Sequence, residues 1–441
     1  MIRWSTATLA LPLLLLLLAS PAFAETLRTL SMAEALEKAT ENNPRLRRAR
    51  AATEGAEAQA DMALAPLLPQ VAMRGGYNRT TANFLPQPGS VPIEFAEDYM
   101  GSSFVMYNFF DAGIGATQLL YDFGRSTGAF RAAKATAVAE DATAQVERLQ
   151  VHRDVRVAYV GARAAREQLR VAQETLANRT RHVAQVTEFI EMRSRPEIDL
   201  MQVRVEHANA RVALINAENA YVNTRLLLNL AMGDEGDLDY ELAVPIFPSV
   251  RGEDETLEPL LAEAIEARPE LIALKRQQQA AELAVTAVKG GFGPILAAGT
   301  DLTAISIELD DSAWNWRVGL TLTWPLYEGG LTTAQLREAR TNLARIAAEF
   351  DAQRQQIRVD VEQARLAIRA AKAAIAASEE AIAAARRRNE LAEGRYEAGV
   401  GAILEMGDAQ LALTGAESQK VEAEANLATA RATLIYALGR Q

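Results

Sequence analysis

Residues Thr332–Ala398 read TTAQLREARTNLARIAAEFDAQRQQIRVDVEQARLAIRAAKAAIAASEEAIAAARRRNELAEGRYEA. There is no proline in the stretch, and alanine, glutamate, glutamine, arginine and leucine, all good helix formers, dominate it. Leu336, Leu343, Phe350 and Ile357 recur every seven residues; after a step of four, Val361, Ile368, Ile375 and Ile382 do the same. One heptad register therefore persists while its bulk passes from one flank to the other. Beside it run Ala364, Ala371, Ser378 and Ala385, small enough to let neighbouring helices approach on a second side. At about 1.5 Å per residue this is a rod of roughly 100 Å, which needs partners along its whole length. Two usable flanks suit a curved wall of helices better than a lone two-stranded coil.

A second proline-free span, Arg125–Ile190, has the same character, and the rest of the chain shows that one unit is written twice. Pro44 to Pro269 is an offset of 225 residues, and Pro69 to Pro294 is the same. Tyr121-Asp122-Phe123-Gly124 answers Tyr327-Glu328-Gly329-Gly330 at an offset of 206, as do Asp199 with Glu405 and Gly233 with Gly439. The 19 extra residues of the first copy fall between Pro69 and Tyr121, in the loop-forming region around Phe84–Glu97. The chain thus divides into residues 1–24, a first copy over 25–233, an acidic, proline-punctuated connector over 234–258 and a second copy over 259–441. Each copy is expected to run helix, strand, strand, long helix, shorter helix. The shorter helices, about Glu197–Leu230 and Ala402–Leu438, reach half a rod. Helices around Arg45–Leu64 and Glu270–Val288 could supply the missing length if stacked end to end.

Strands are expected near 69–82, 111–124, 294–307 and 313–326. In the last, Trp314, Trp316, Val318, Leu320, Leu322 and Trp324 alternate with Asn315, Arg317, Gly319, Thr321 and Thr323, the apolar-out, polar-in period of a membrane β-strand. In the first, Val71, Met73 and Tyr77 oppose Arg74, Asn78 and Thr80. Trp314, Trp316, Trp324, Tyr327 and Tyr77 are candidates for an aromatic girdle at the membrane surface. Four strands cannot close a barrel, and an open edge in lipid leaves backbone groups unpaired, so the chain is expected to oligomerise through its strands. A soluble sheet resting on a core is the competing reading.

The N-terminus places the chain outside the cytoplasm. Arg3, the apolar run Leu11–Leu18 and Ala22-Phe23-Ala24 make a cleavable leader ending at residue 24. The sequence has no cysteine, which excludes disulfides and thiol chemistry and predicts a protein that is not lipidated. Losing Arg3 leaves 45 basic against 57 acidic residues, a net charge of −12; nucleic acid is a poor partner for such a chain. His152, His182 and His207 are the only histidines and have no ligand spacing, so they read as surface positions, and no metal, cofactor or catalytic set is expected.

The stretch Arg395-Tyr396-Glu397-Ala398-Gly399-Val400-Gly401-Ala402-Ile403-Leu404-Glu405-Met406-Gly407-Asp408-Ala409-Gln410 resembles the "RYxxGxxxxLDxLDAQ" turn of the TolC-like outer-membrane efflux family, with Ile198-Asp199-Leu200-Met201-Gln202 as its first-copy counterpart. The resemblance covers nearly all of the chain after the leader. It implies a mainly α fold with a membrane β-barrel: a homotrimer with a twelve-stranded barrel and a long helical tunnel. It further implies residence in the outer membrane of a Gram-negative bacterium, with outer-membrane lipid, a periplasmic adaptor (membrane fusion protein) and an inner-membrane transporter as partners. The function implied is an exit duct for small molecules or proteins, and not an enzyme; an exported coiled-coil adaptor or scaffold without a pore is the alternative. In the family, carboxylates at the positions of Glu405 and Asp408 ring the periplasmic gate. Tyr396 and Asp199 match one link that holds the gate shut. Arg195, Pro196, Gly399, Val400 and Gly401 form the helix-tip turns where an adaptor would dock. The chain departs from the best-known member at Gly401, where that member has an arginine; Arg195 stands at the equivalent place in the first copy.

Overall fold

The computed structural model describes residues 28–81, 104, 106–236, 238, 240–243, 248–308 and 311–440. The expected leader and most of the loop around Phe84–Glu97 lie outside these residues. In chain order the elements are β1 (Arg28–Leu30), α1 (Met32–Asn42), α2 (Pro44–Leu64), β2 (Gln70–Thr81), β3 (Met106–Tyr121), α3 (Arg125–Glu191), α4 (Glu197–Met232), β4 (Tyr240–Leu242), α5 (Leu257–Ala267), α6 (Pro269–Gly290), β5 (Ile295–Glu308), β6 (Asp311–Thr323), α7 (Leu331–Glu397) and α8 (Ile403–Ala437).

Local chemistry sets the breaks. Ser31 caps α1 in a capping box: its hydroxyl accepts from the Glu34 N–H, and the Glu34 carboxylate accepts from the Ser31 N–H at 2.8 Å. A proline cannot follow a helical residue comfortably, so Asn43 and Arg268 turn extended, at ψ 124° and 122°, and α2 and α6 restart at Pro44 and Pro269. Both long helices, α3 and α7, run 67 residues. On α7 the expected seam is buried in its middle: Ile357, Val361 and Ile368 are fully enclosed and Ala364, Ala371, Ser378 and Ala385 are buried, while Leu336, Leu343, Phe350, Ile375 and Ile382 are half-buried. The short helices complete the rods. The end of α4 meets the start of α2 beside the middle of α3, where Leu46, Val151, Val155, Leu228 and Met232 share one core. The end of α8 meets the start of α6 beside α7, around Leu271, Ile357, Val361, Leu434 and Leu438. Across the wall, α3 packs against both α4 and α8, and α8 against α7. None of the described helices is long and apolar enough to cross a membrane.

The four long strands form one antiparallel sheet in the order β2-β3-β5-β6. Its register aligns Met73 with Ile114, Ile114 with Leu302, and Leu302 with Trp316. Val71, Met73, Tyr77, Ile114, Leu302, Trp316, Val318 and Leu320 therefore share a face, and all are exposed in the single chain. The other face carries Arg74, Asn78, Asp111, Asp301, Thr303 and Arg317, with Phe109 and Ile305 among them. Arg74 crosses β3 to bind Asp301 at 2.8 Å, over the side-chain-free surface of Gly113 and Gly115.

Three sequence readings are corrected. Strand β6 stops at Thr323, so Trp324 lies in the turn beyond it; Pro325 cannot extend the ladder, and the Trp324 indole N–H donates to the Phe292 carbonyl at 3.1 Å. A second sheet, β1 parallel to β4, was not expected; it is fastened to α3 by the Tyr159 hydroxyl, which donates to the Leu30 carbonyl at 2.9 Å and the Ala243 carbonyl at 3.1 Å. His152 and His182 are buried rather than at the surface, because both face neighbouring helices and are hydrogen-bonded there, to Thr40 and Gln410.

Candidate functional site

The expected gate residues gather where each long helix turns into its short partner. At the second tip α7 ends at Glu397 with Ala398 as its cap, and Gly399 takes a left-handed conformation, φ 82°, as helix ends commonly do at this position. The Val400 and Gly401 N–H groups then bond back to the Arg395 carbonyl at 3.0 and 2.8 Å. Val400 is left exposed. A Cβ on Gly401 would sit 2.8 Å from the Tyr396 nitrogen, so the turn has no room for a side chain there. The first tip makes the same turn with Arg193 in the left-handed position, φ 58°, followed by Arg195 and by Pro196, which precedes the first turn of α4.

Tyr396 is enclosed by the α3 and α8 side chains Val186, Met406 and Ala409, with the Phe189 ring 6.2 Å away. Its hydroxyl donates to the Asp199 carboxylate at 3.2 Å in a buried contact. Burial, followed by the Asp199 charge, pushes the phenol up to about 12, while the Arg195 cation pulls the other way. Tyr396 therefore stays a donor at any physiological pH. The Arg195 guanidinium lies over the Tyr396 ring at 4.2 Å; it donates to the Gly401 carbonyl at 3.3 Å and to the Tyr396 carbonyl. One arginine thus binds the far tip through its ring face and two carbonyl oxygens.

Glu405 and Asp408 lie one turn apart at the start of α8 and are exposed. Glu405 meets Arg395 at 3.3 Å, with both side chains about half exposed, a pairing that contributes well under ~1 kcal/mol.

Sequence reasoning did not single out a second polar cluster, roughly 17 Å up the wall at ~1.5 Å per residue. Arg179 and His182 of α3 are buried there with Glu206 of α4 and Gln410 of α8. The nearby Arg179 and Glu206, one on each helix of a predicted hairpin, were the available signal; the part played by Gln410, 231 residues away, was not.

The comparisons agree with this architecture. Residues 35–234 and 260–440 match the family described as Outer membrane efflux protein. A probable outer membrane lipoprotein, SilC of Salmonella typhimurium, is 23% identical over 262 residues, which span 57% of this chain and 55%, about half, of that protein. Among solved structures, CusC superposes with a TM-score of 0.79 at 19% identity, covering 93% of this chain and 92% of its own. The Campylobacter jejuni CmeC outer membrane channel gives 0.80 at 17%, covering 92% and 85%. The open state of the Neisseria gonorrhoeae MtrE outer membrane channel gives 0.75 at 21%, covering 93% and 89%. With both structural repeats matched and the fold shared along its length, the chain belongs to the outer membrane efflux protein family.

Proposed function

We propose that three copies of this chain form an outer-membrane exit duct, whose helical part docks a periplasmic adaptor and an inner-membrane pump. The observation that carries the reading is the sheet. One face is apolar and exposed, the other mostly polar, and its two edges, β2 and β6, pair with no other strand among the described residues. A bilayer tolerates strands only when every edge is paired. Joining β6 of one copy to β2 of the next closes the sheet, turns the tryptophan face to lipid and leaves Arg74, Asp301 and Arg317 lining the lumen.

The helical wall supports the same assembly. Along α4, Ile198, Val205, Val212, Ile215, Val222 and Leu226 lie at heptad spacing, yet each is 45–70% exposed. On the opposite edge α7 presents Val359 and Leu366 with exposed Ala370, Ala373, Ala377 and Ala384. A bulky stripe on one edge and a shallow, alanine-rich one on the other suit head-to-tail contacts that close into a ring. The strands, rather than a lipid of the kind in SilC's name, are the proposed hold on the membrane.

At the mouth, Glu405 and Asp408 from three chains place six carboxylates around one opening and favour cations there. The Tyr396–Asp199 bond and the Arg195 clasp hold the two tips of each chain together against that repulsion. Arg195 supplies from the first tip the arginine for which the second, at Gly401, has no space.

Extraction and mass test the assembly. The protein should leave membranes only with detergent and sediment at three times the chain mass. Release by salt or alkali as a soluble monomer would overturn the duct and favour a scaffold without a pore.

A further inference from the structure

The polar cluster above the tip is built so that it holds only while His182 is neutral. Arg179 is a permanent donor. It bonds Glu206 at 2.6 Å and also the Gln410 side-chain oxygen. With its oxygen held by Arg179, Gln410 must present its NH₂ to His182; that nitrogen lies 2.6 Å from Nδ1 and 2.8 Å from Nε2. A nitrogen nearly equidistant from both sits against the ring, and a turn of the ring brings the bare nitrogen of either neutral tautomer to accept from it. An imidazolium has no bare nitrogen, so protonation sets N–H against N–H. Turning the amide over would only move the conflict to Arg179.

From this hydrogen-bond polarity we infer that His182, Gln410 and Arg179 form a proton-sensitive catch between the two repeats, released when His182 takes up a proton. Its consequence for conduction rests on the duct reading; the proton binding does not.

The groups facing His182 come from four helices. On α3, Arg179 and Arg181 oppose its protonation. Glu206 of α4 and Glu393 and Glu397 of α7 favour it, Glu393 at 3.9 Å, and α8 offers the neutral Gln410, with Glu417 farther along the same groove. Glu206 is committed to Arg179, and Glu397 accepts from Gln185 at 2.9 Å. Burial comes first and Arg179 second, and together they hold the imidazole below its usual range. A depressed basic group leaves the closed seam fully stabilised above the ordinary imidazole value; that stabilisation is lost as pH falls below it.

At the level of the catch, above the Val186–Met406–Ala409 cluster, the seam is polar. The α3–α7–α8 groove holds a cavity of about 530 Å³ lined by Glu174, Thr175, Asn178, Glu393, Thr414 and Glu417 among others. Polar walls already in contact with water lose little when they separate.

The experiment is a pair of titrations on the detergent-solubilised full chain between pH 7.5 and 4.5. Histidine NMR, assigned with His182→Gln, should place His182 below the ordinary imidazole value. In planar bilayers conductance should rise roughly threefold or more over the same range, a modest population shift for a two-state seam. His182→Gln, which keeps an acceptor and cannot be protonated, should abolish the rise. Gln410→Glu, whose carboxylate accepts from Arg179 and imidazolium alike, should abolish it and move the His182 titration upward. Channels whose wild-type and variant conductances follow pH identically would overturn the catch and leave the duct standing. An absence of channels at every pH would overturn the duct, and a His182 titration at or above the ordinary value would overturn the catch by itself.

Discussion

The two repeats make the same tip from different residues. In the second, Gly399 is left-handed at φ 82°, with Val400 N–H bonded to the Arg395 carbonyl at 3.0 Å; in the first, Arg193 is left-handed at φ 58°, with Ser194 N–H bonded to the Phe189 carbonyl at 2.9 Å. The Ser194 hydroxyl adds a bond to that carbonyl at 2.7 Å. The turn before each long helix repeats the contrast, Phe123 at φ 54° against Gly329 at 64°. The junctions of the stacked helices differ as well. Asn43 donates to the Ala231 carbonyl at 2.8 Å, while its counterpart Arg268 donates to Ala437 at 3.0 Å and to Asp360 at 2.9 Å. Duplication has therefore preserved geometry while dividing labour. The first tip supplies the arms, Arg195 and Asp199, and the second supplies what they hold, Tyr396 and the packed turn at Gly401.

The junctions should show the widest gap between repeats. Arg268 is 1% exposed, and its removal leaves the Asp360 charge without that partner, so Arg268→Ala should cost about 3–5 kcal/mol. Asn43→Ala removes a cap and one donor and should cost about 1–2 kcal/mol. Denaturant midpoints in detergent measure both; equal losses would break the comparison.

The connector sharpens it next. Glu253 is 3% exposed and belongs to the second repeat's helices alone. Burial would raise its pKa, but Arg431, Lys372 and the Val250 N–H outweigh burial and lower it to about 2. The carboxylate should therefore contribute about 3 kcal/mol at neutral pH. That stability is complete above the unfolded value near 4.5 and is lost as pH falls toward 2. Glu253→Gln should flatten this part of the acid-unfolding curve; an unchanged curve would remove Glu253 from the account.

At the tips, Tyr396→Phe deletes a bond to a buried carboxylate, roughly 1.5–3 kcal/mol per chain. It should raise single-channel conductance, whereas unaltered conductance would show that the contact is structural only. The smallest effect should come from Arg193→Gly. A left-handed non-glycine residue costs ~1–2 kcal/mol, and glycine's added freedom in the unfolded chain returns ~0.5–1 kcal/mol of that. A net gain of up to about 1 kcal/mol should appear as slower amide exchange in the first tip only.

Much of this was legible in the sequence for definite reasons. The absence of proline marked both long helices, the heptad spacing marked the seam of the second, and Pro44 and Pro269 marked the restarts. The alternation from Trp314 to Leu322 marked the strand and its faces. What stayed hidden depends on distant pairing. Strands β1 and β4 have three residues each, too few to alternate, and exist because each pairs with the other. His182 carries no local sign of its burial, since its partner Gln410 lies 228 residues away. Gly401 marked a missing arginine, but only the fold shows that a side chain there would strike the Tyr396 backbone and that Arg195 of the first tip contacts Tyr396 and Gly401.

The central claim is that these repeats end in a charged, closable mouth. Single-channel recording of Glu405→Ala with Asp408→Ala tests it most directly, read beside the unaltered protein. The account predicts discrete channels in both, with lower cation selectivity in the double variant and weaker block by multivalent cations added on the side of the helical tips. Channels with unchanged selectivity and unchanged block would contradict it, and would make these carboxylates ordinary solvated charges.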